Sequence, residues 1–132
     1  VTRSPREATE AYFDAVNGER YDEVARLFAA DGVLCAPGTK PRVGHDDIAG
    51  YFRAALAPYP EHYDDPTRIV LADRTVTVEI HFSGKVANGA PLEFDAVDVF
   101  DYDDEGQIVK LTSWYDSHRV RRDLAAALDE GG

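Results

Sequence analysis

The chain has 132 residues, 25 of them acidic against 14 basic for a net charge of −11, with one cysteine and no methionine. That length suits one hydrophobic core, and the acidity, with no basic cluster larger than Arg119, Arg121 and Arg122, argues against nucleic acid or any polyanion as a partner. Cys35 alone makes neither an internal disulfide nor a cysteine metal cluster, no apolar run reaches the ~20 residues that span a membrane, and VTRSPREATE lacks the apolar stretch of a signal peptide, so one cytoplasmic domain over residues 1–132 is expected.

Ser4-Pro5-Arg6-Glu7 combines a cap residue, Pro at the first helical position and a Glu placed to close a capping box. The helix that follows carries Ala8, Ala11, Tyr12, Ala15 and Val16 on one face, and Gly18 ends it, so Tyr12 points inward. A second helix is expected from Tyr21 to Ala30, ended by Asp31-Gly32, and a short strand from Val33 to Ala36, closed by Pro37-Gly38. Gly44-His45-Asp46-Asp47 starts a third helix, with Ile48, Tyr51, Phe52 and Leu56 inside and an acidic first turn that suits the helix dipole.

Pro58 to Pro66 holds three prolines and reads as a loop at the rim of a pocket, with His62 on it. Strands are expected at Thr67 to Asp73, Thr75 to Ser83, Pro91 to Tyr102 and Gln107 to Tyr115, then a short helix carrying Val120, Leu124, Ala127 and Leu128. The order is α+β: three helices packed on a strongly curved, mixed but mostly antiparallel sheet that forms a cone around a cavity.

Alternation along Pro91 to Tyr102 puts Leu92, Phe94, Ala96, Asp98, Phe100 and Tyr102 on one face and Glu93, Asp95, Val97, Val99 and Asp101 on the other. Asp98 is the misfit, a carboxyl among apolar neighbours, where its charge needs a partner or a proton. In the last strand, alternation sets Leu111, Ser113 and Tyr115 against Thr112, Trp114 and Asp116. His45, His62, His81 and His118 share no metal-ligand spacing, so no metal and no cofactor are expected. Val97, Val99 and Trp114 on the outer sheet face predict a homodimer, because they would otherwise be an exposed apolar patch.

The segments AYFDAVNGERYDEVARLFAADGVL, PRVGHDDIAGYF and NGAPLEFDAVDVFDYDDEGQIV resemble the nuclear transport factor 2-like superfamily, and within it the steroid delta-isomerases (ketosteroid isomerases) and SnoaL-like polyketide cyclases. The resemblance implies that Tyr12 is an oxyanion-hole tyrosine and Asp98 the protonated aspartic acid that shares its task, an arrangement known for the isomerases. It also implies an altered base. Where the isomerases carry their general-base aspartate this chain has Ala36, and Asp116, at the end of the last strand, matches the catalytic aspartate of SnoaL-like cyclases and limonene-type epoxide hydrolases. The hydrolases' Arg falls at Ala96, and their Tyr and Asn fall at Val33 and Cys35.

The function expected is therefore cofactor-free acid/base catalysis of isomerase or cyclase type on a small hydrophobic carbonyl compound, with Tyr12, Asp98 and Asp116 catalytic. Phe28, Phe52, Phe94, Phe100, Leu111 and Tyr115 are expected to line the substrate pocket. The alternatives are a binding or dimerisation domain without chemistry, and a limonene-type epoxide hydrolase.

Overall fold

In the computed structural model, which describes residues 2–129, the N-terminal helix starts where its cap chemistry places it. Helix α1 spans Pro5–Asn17; the Ser4 hydroxyl accepts from the Glu7 amide at 3.1 Å and the Glu7 carboxylate accepts from the Ser4 amide at 2.9 Å, closing the capping box. Its buried face carries Ala8, Thr9, Tyr12, Phe13, Ala15 and Val16. Thr9 is tolerated there because its hydroxyl pairs with that of Tyr102 at 2.6 Å and with the Pro5 carbonyl at 2.8 Å.

Helix α2 is only Tyr21–Arg26, shorter than its sequence pattern predicts, because strand β1 begins at Phe28 and runs to Cys35. Phe28 pairs with Ile108 of the last strand and the Leu27 carbonyl accepts from the Ile108 amide at 3.0 Å, so tertiary pairing overrides the helical spacing of Val24, Leu27 and Phe28. A bulge between Phe28 and Val33 absorbs Asp31 and Gly32; a Cβ at Gly32 would meet the Ile108 carbonyl oxygen at 2.9 Å. The short β2 (Arg42–Val43) and helix α3 (His45–Leu56) follow.

Strand β3, Glu61–Ala72, includes most of the segment expected as a loop and pairs with β4 (Thr75–Lys85) along its length. Pro66 sits at a register shift in an edge strand, where its missing N–H breaks no ladder on the open side. Strands β5 (Pro91–Tyr102) and β6 (Ile108–Trp114) form the expected central hairpin, and α4 (Ser117–Asp129) closes the chain.

The sheet order is β2-β1-β6-β5-β4-β3, with β1 and β6 parallel and every other neighbouring pair antiparallel. Two clusters fill its concave side. The larger joins α1, α2 and α3 to the sheet around Tyr12, Phe13, Phe52 and Phe100; Tyr12 meets Phe13 and Phe100 edge-on at 5.0 and 4.9 Å between centroids. In the smaller cluster α4 brings Ala127 and Leu124 against Tyr59, Phe82 and Leu92. Gly84 makes room for this contact, since a Cβ there would lie 3.0 Å from the Tyr59 ring. Among the described residues no helix is long and apolar enough to cross a membrane.

Candidate active site

Between the two clusters the concave face leaves a cavity of about 140 Å³, close to the ~150 Å³ that holds a benzene ring. Helix α1 supplies Tyr12 and Val16 to its wall, and α3 supplies Tyr51 and Phe52. Strand β4 contributes Ile80 and Phe82, and β5 contributes Phe94, Ala96 and Asp98, the inward set that alternation along Pro91 to Tyr102 selects. Ser113, Tyr115 and Asp64 of β3 complete the polar part.

Asp98 is buried, only 5% exposed, and accepts a short hydrogen bond from the Ser113 hydroxyl, its register partner on β6. Burial pushes its carboxyl up to about 7, the Ser113 bond opposes the rise, and the charge of Asp64 adds to it. Asp64 keeps part of its surface open, yet its carboxyl is desolvated enough to be pushed up to about 6 by burial alone. Its backbone is clamped by Asn17 at the end of α1: the Asn17 amide donates to the Asp64 carbonyl at 2.9 Å and accepts from the Asp64 amide at 2.8 Å. This clamp stands in for the missing neighbour of an edge strand and fixes the direction in which the Asp64 side chain points.

Tyr12 is 3% exposed, its phenol is pushed well above its ordinary range by burial and then by Asp98 and Asp64, and no side chain of the described residues takes its hydroxyl. Burial likewise raises Tyr51, with Tyr115 and Asp98 adding and Arg42, stacked 5.6 Å over its ring, opposing. Burial thus holds both carboxyls up toward neutrality, Asp98 further than Asp64, with neutral phenols beside them. Two carboxyls that differ in burial and several phenol hydroxyls share one apolar chamber.

Of the expected catalytic residues, the structure brings Tyr12 and Asp98 together in the cavity and leaves Asp116 outside it. Asp116 is exposed and caps α4, its carboxylate accepting from the Arg119 amide at 3.0 Å. Replacing it by Ala should lower stability by about 1 kcal/mol in thermal melts, the usual worth of such a cap. Of the expected lining residues, Phe52, Phe94 and Tyr115 face the cavity, whereas Phe28, Phe100 and Leu111 are 0% exposed within the larger core cluster. Phe100 packs edge-on against the Tyr12 ring, and Phe28 and Leu111 are packed at the β1–β6 pairing.

Glu79 and His81 lie on the outer sheet face, where His81 contacts Asp95 at 2.8 Å and Glu93 at 2.7 Å. His62 turns inward without reaching the cavity wall, its Nε2 3.2 Å from the Glu19 carboxylate. Sequence reasoning missed Asp64 because the prolines around it signalled a loop. The available clue was the alternation of His62, Asp64 and Pro66 against Glu61, Tyr63 and Asp65, which matches the half-buried and exposed residues of β3.

The curved, unclosed sheet with helices packed across its concave side is a nuclear transport factor 2-like, ketosteroid isomerase-like fold built around a small cavity. Residues 9–111 match the model of the SnoaL-like domain, and the chain belongs to that family. Among solved structures it is similar to a Catenulispora acidiphila protein with a ketosteroid isomerase-like fold in complex with trimethylamine, 22% identical, with a TM-score of 0.80, covering 93% of this chain and 95% of that one. An LEH-like epoxide hydrolase of M. tuberculosis is also 22% identical, with a TM-score of 0.76 and coverage of 96% and 93%. SalBIII, an epoxide hydrolase/cyclase-like enzyme in pyran ring formation in polyether salinomycin, is 21% identical, with a TM-score of 0.76 and coverage of 86% and 92%. At these identities the likeness is one of fold. No curated protein matches the chain in sequence.

Proposed function

We propose that the chain is a cofactor-free acid/base enzyme of isomerase or cyclase type, acting on a compound with one small ring and a carbonyl group. The observation that carries the reading is the pairing of Asp64 and Asp98 in one aromatic cavity, with their carboxyls pushed up to about 6 and about 7. Asp64 takes the proton from the carbon next to the carbonyl, in the place of the base that Ala36 does not supply and that Asp116 is too far outside to be. Tyr12 and protonated Asp98 donate hydrogen bonds to the developing enolate oxygen. Ser113 keeps Asp98 turned inward by holding its other oxygen.

A purely binding role for a neutral ligand is less favoured, since such a ligand gains nothing from a desolvated carboxyl that no side chain neutralises. The limonene-type epoxide hydrolase reading loses ground because Ala96, at the position of the hydrolases' Arg, lies in the cavity wall and no other Arg of the described residues replaces it there. The test is incubation with 3-cyclohexen-1-one, a ring of the right size whose double bond moves into conjugation on isomerisation, followed by ultraviolet absorbance. A rate above buffer that is lost in Tyr12→Phe/Asp98→Asn supports the reading. No conversion of this or related ring ketones sinks it.

The homodimer is proposed through the outer sheet face, where Trp114 is 62% exposed beside its register partner Val97, and Val70 is 44% exposed one row away. Light scattering should give twice the monomer mass, and Trp114→Glu should return the monomer.

A further inference from the structure

Among the described residues that line the cavity there is no lysine, arginine or histidine, while two carboxyls face it from the concave side of the sheet, Asp64 on β3 and Asp98 on β5. The rest of the wall is rich in aromatic rings from α1, α3, the loop after α3 and strands β4 to β6. Ring faces carry the negative end of the aromatic quadrupole and attract cations. The Arg42 guanidinium is stacked over the Tyr51 ring, donates to the Thr39 hydroxyl at 2.8 Å and sits 3.8 Å from Asp47, outside the cavity wall. Tyr12, almost fully buried, turns a hydroxyl without a side-chain partner toward the same space.

A ligand with a carboxylate or phosphate would meet charges of its own sign here. A neutral ligand would give a carboxylate charge in the cavity nothing to pair with. A cation gains from both wall types at once. We infer that the cavity is a receptor for a small organic cation, an alkylammonium group about the size of one ring, with Asp64 and Asp98 as counter-ions and the aromatic faces as its cage.

The inference goes beyond acid/base turnover and holds whether or not the bound molecule reacts. It also fits that chemistry, because an ammonium group on the substrate would keep Asp64 ionised and would acidify a neighbouring C–H. Binding is coupled to proton release. The groups that face the cation are Asp64, Asp98, the hydroxyls of Tyr12, Tyr51, Tyr59 and Tyr115, and Ser113, while β4 offers only Ile80 and Phe82. The phenols of Tyr12, Tyr51 and Tyr59 are pushed upward, so affinity should rise as the two carboxyls ionise between about 6 and about 7.

Choline and 3,3-dimethylbutan-1-ol provide the test, since they have the same shape and differ in having N⁺ or C at the branch point. Calorimetry and aromatic proton shifts on the unaltered protein should show choline binding at least roughly tenfold tighter at pH 8, the size expected of a desolvated cation–π contact. The preference should shrink at pH 5 and in Asp64→Asn/Asp98→Asn, where only the ring faces still attract the charge, and the variant should still bind the alcohol. Equal or tighter binding of the alcohol at pH 8 overturns the inference and leaves the acid/base reading standing, because that reading is judged by conversion of the ketone. Absence of binding by both compounds overturns it as well. If the double variant does not fold, the isosteric pair and the pH comparison on the unaltered protein decide the matter.

Discussion

Asp98→Asn should make the protein more stable at pH 8 and change its stability little at pH 4. In the folded chain the Asp98 carboxyl titrates at about 7, against 3.8 for the free group. Below pH ~4 it is protonated in both states and contributes nothing to the pH dependence. As pH rises from ~4 to ~7 the unfolded chain has released a proton that the folded chain still holds, so stability falls. Above ~7 the folded chain carries a buried charge and the penalty is complete. At about 1.36 kcal/mol per pH unit the gap corresponds to roughly 4 kcal/mol, an upper figure because the cavity can admit water. Asn keeps an oxygen for the Ser113 hydroxyl and cannot ionise, so the variant should escape most of that penalty. Chemical denaturation at the two pH values measures it. A variant that is less stable at pH 8 by more than at pH 4 would mean that native Asp98 is ionised and well paired, which removes it as a hydrogen-bond donor to substrate.

The same residue marks how far local sequence carries. Asp98 stands out because strand alternation is strict and its inward neighbours on β5 are apolar, and the Ser4 cap of α1 is equally legible because both involve residues within one element. Phe28 to Gly32 fails for the opposite reason. Its spacing continues the helical pattern of α2, and only the pairing of Phe28 with Ile108, eighty positions away in sequence, converts it to strand. Asp64 is the costly miss, since prolines at 58, 60 and 66 dominate a window that the long edge pairing with β4 turns into a strand. The site thus combines residues whose inward direction is local, Tyr12 and Asp98, with one whose direction depends on Asn17 reaching from the end of a distant helix. Asp116 matches the motif position but not the alternation, which sets Leu111, Ser113 and Tyr115 inward and puts Asp116 with Thr112 and Trp114.

Asp64→Asn should cost the ketone isomerisation far more than Asp116→Asn, by a factor of roughly 100 to 10,000 in kcat, the range for removing a positioned general base. The amide keeps the size of the side chain and, since burial already disfavours the carboxylate, should not weaken the fold at neutral pH. Asp116→Asn leaves the cavity wall untouched and retains a residue able to cap α4, so its turnover should equal that of the unaltered chain. The pH profile separates a base from a merely structural residue. With Asp64 ionising at about 6 and Asp98 losing its proton at about 7, kcat/KM should describe a narrow bell between those values. In Asp98→Asn the alkaline limb should disappear while the acidic limb stays. In Asp64→Asn the acidic limb should be lost with most of the rate. If Asp64→Asn turns over normally with both limbs in place, the proton goes elsewhere. The carboxyl pair would then be a binding feature, and choline affinity, which does not require turnover, would still report it.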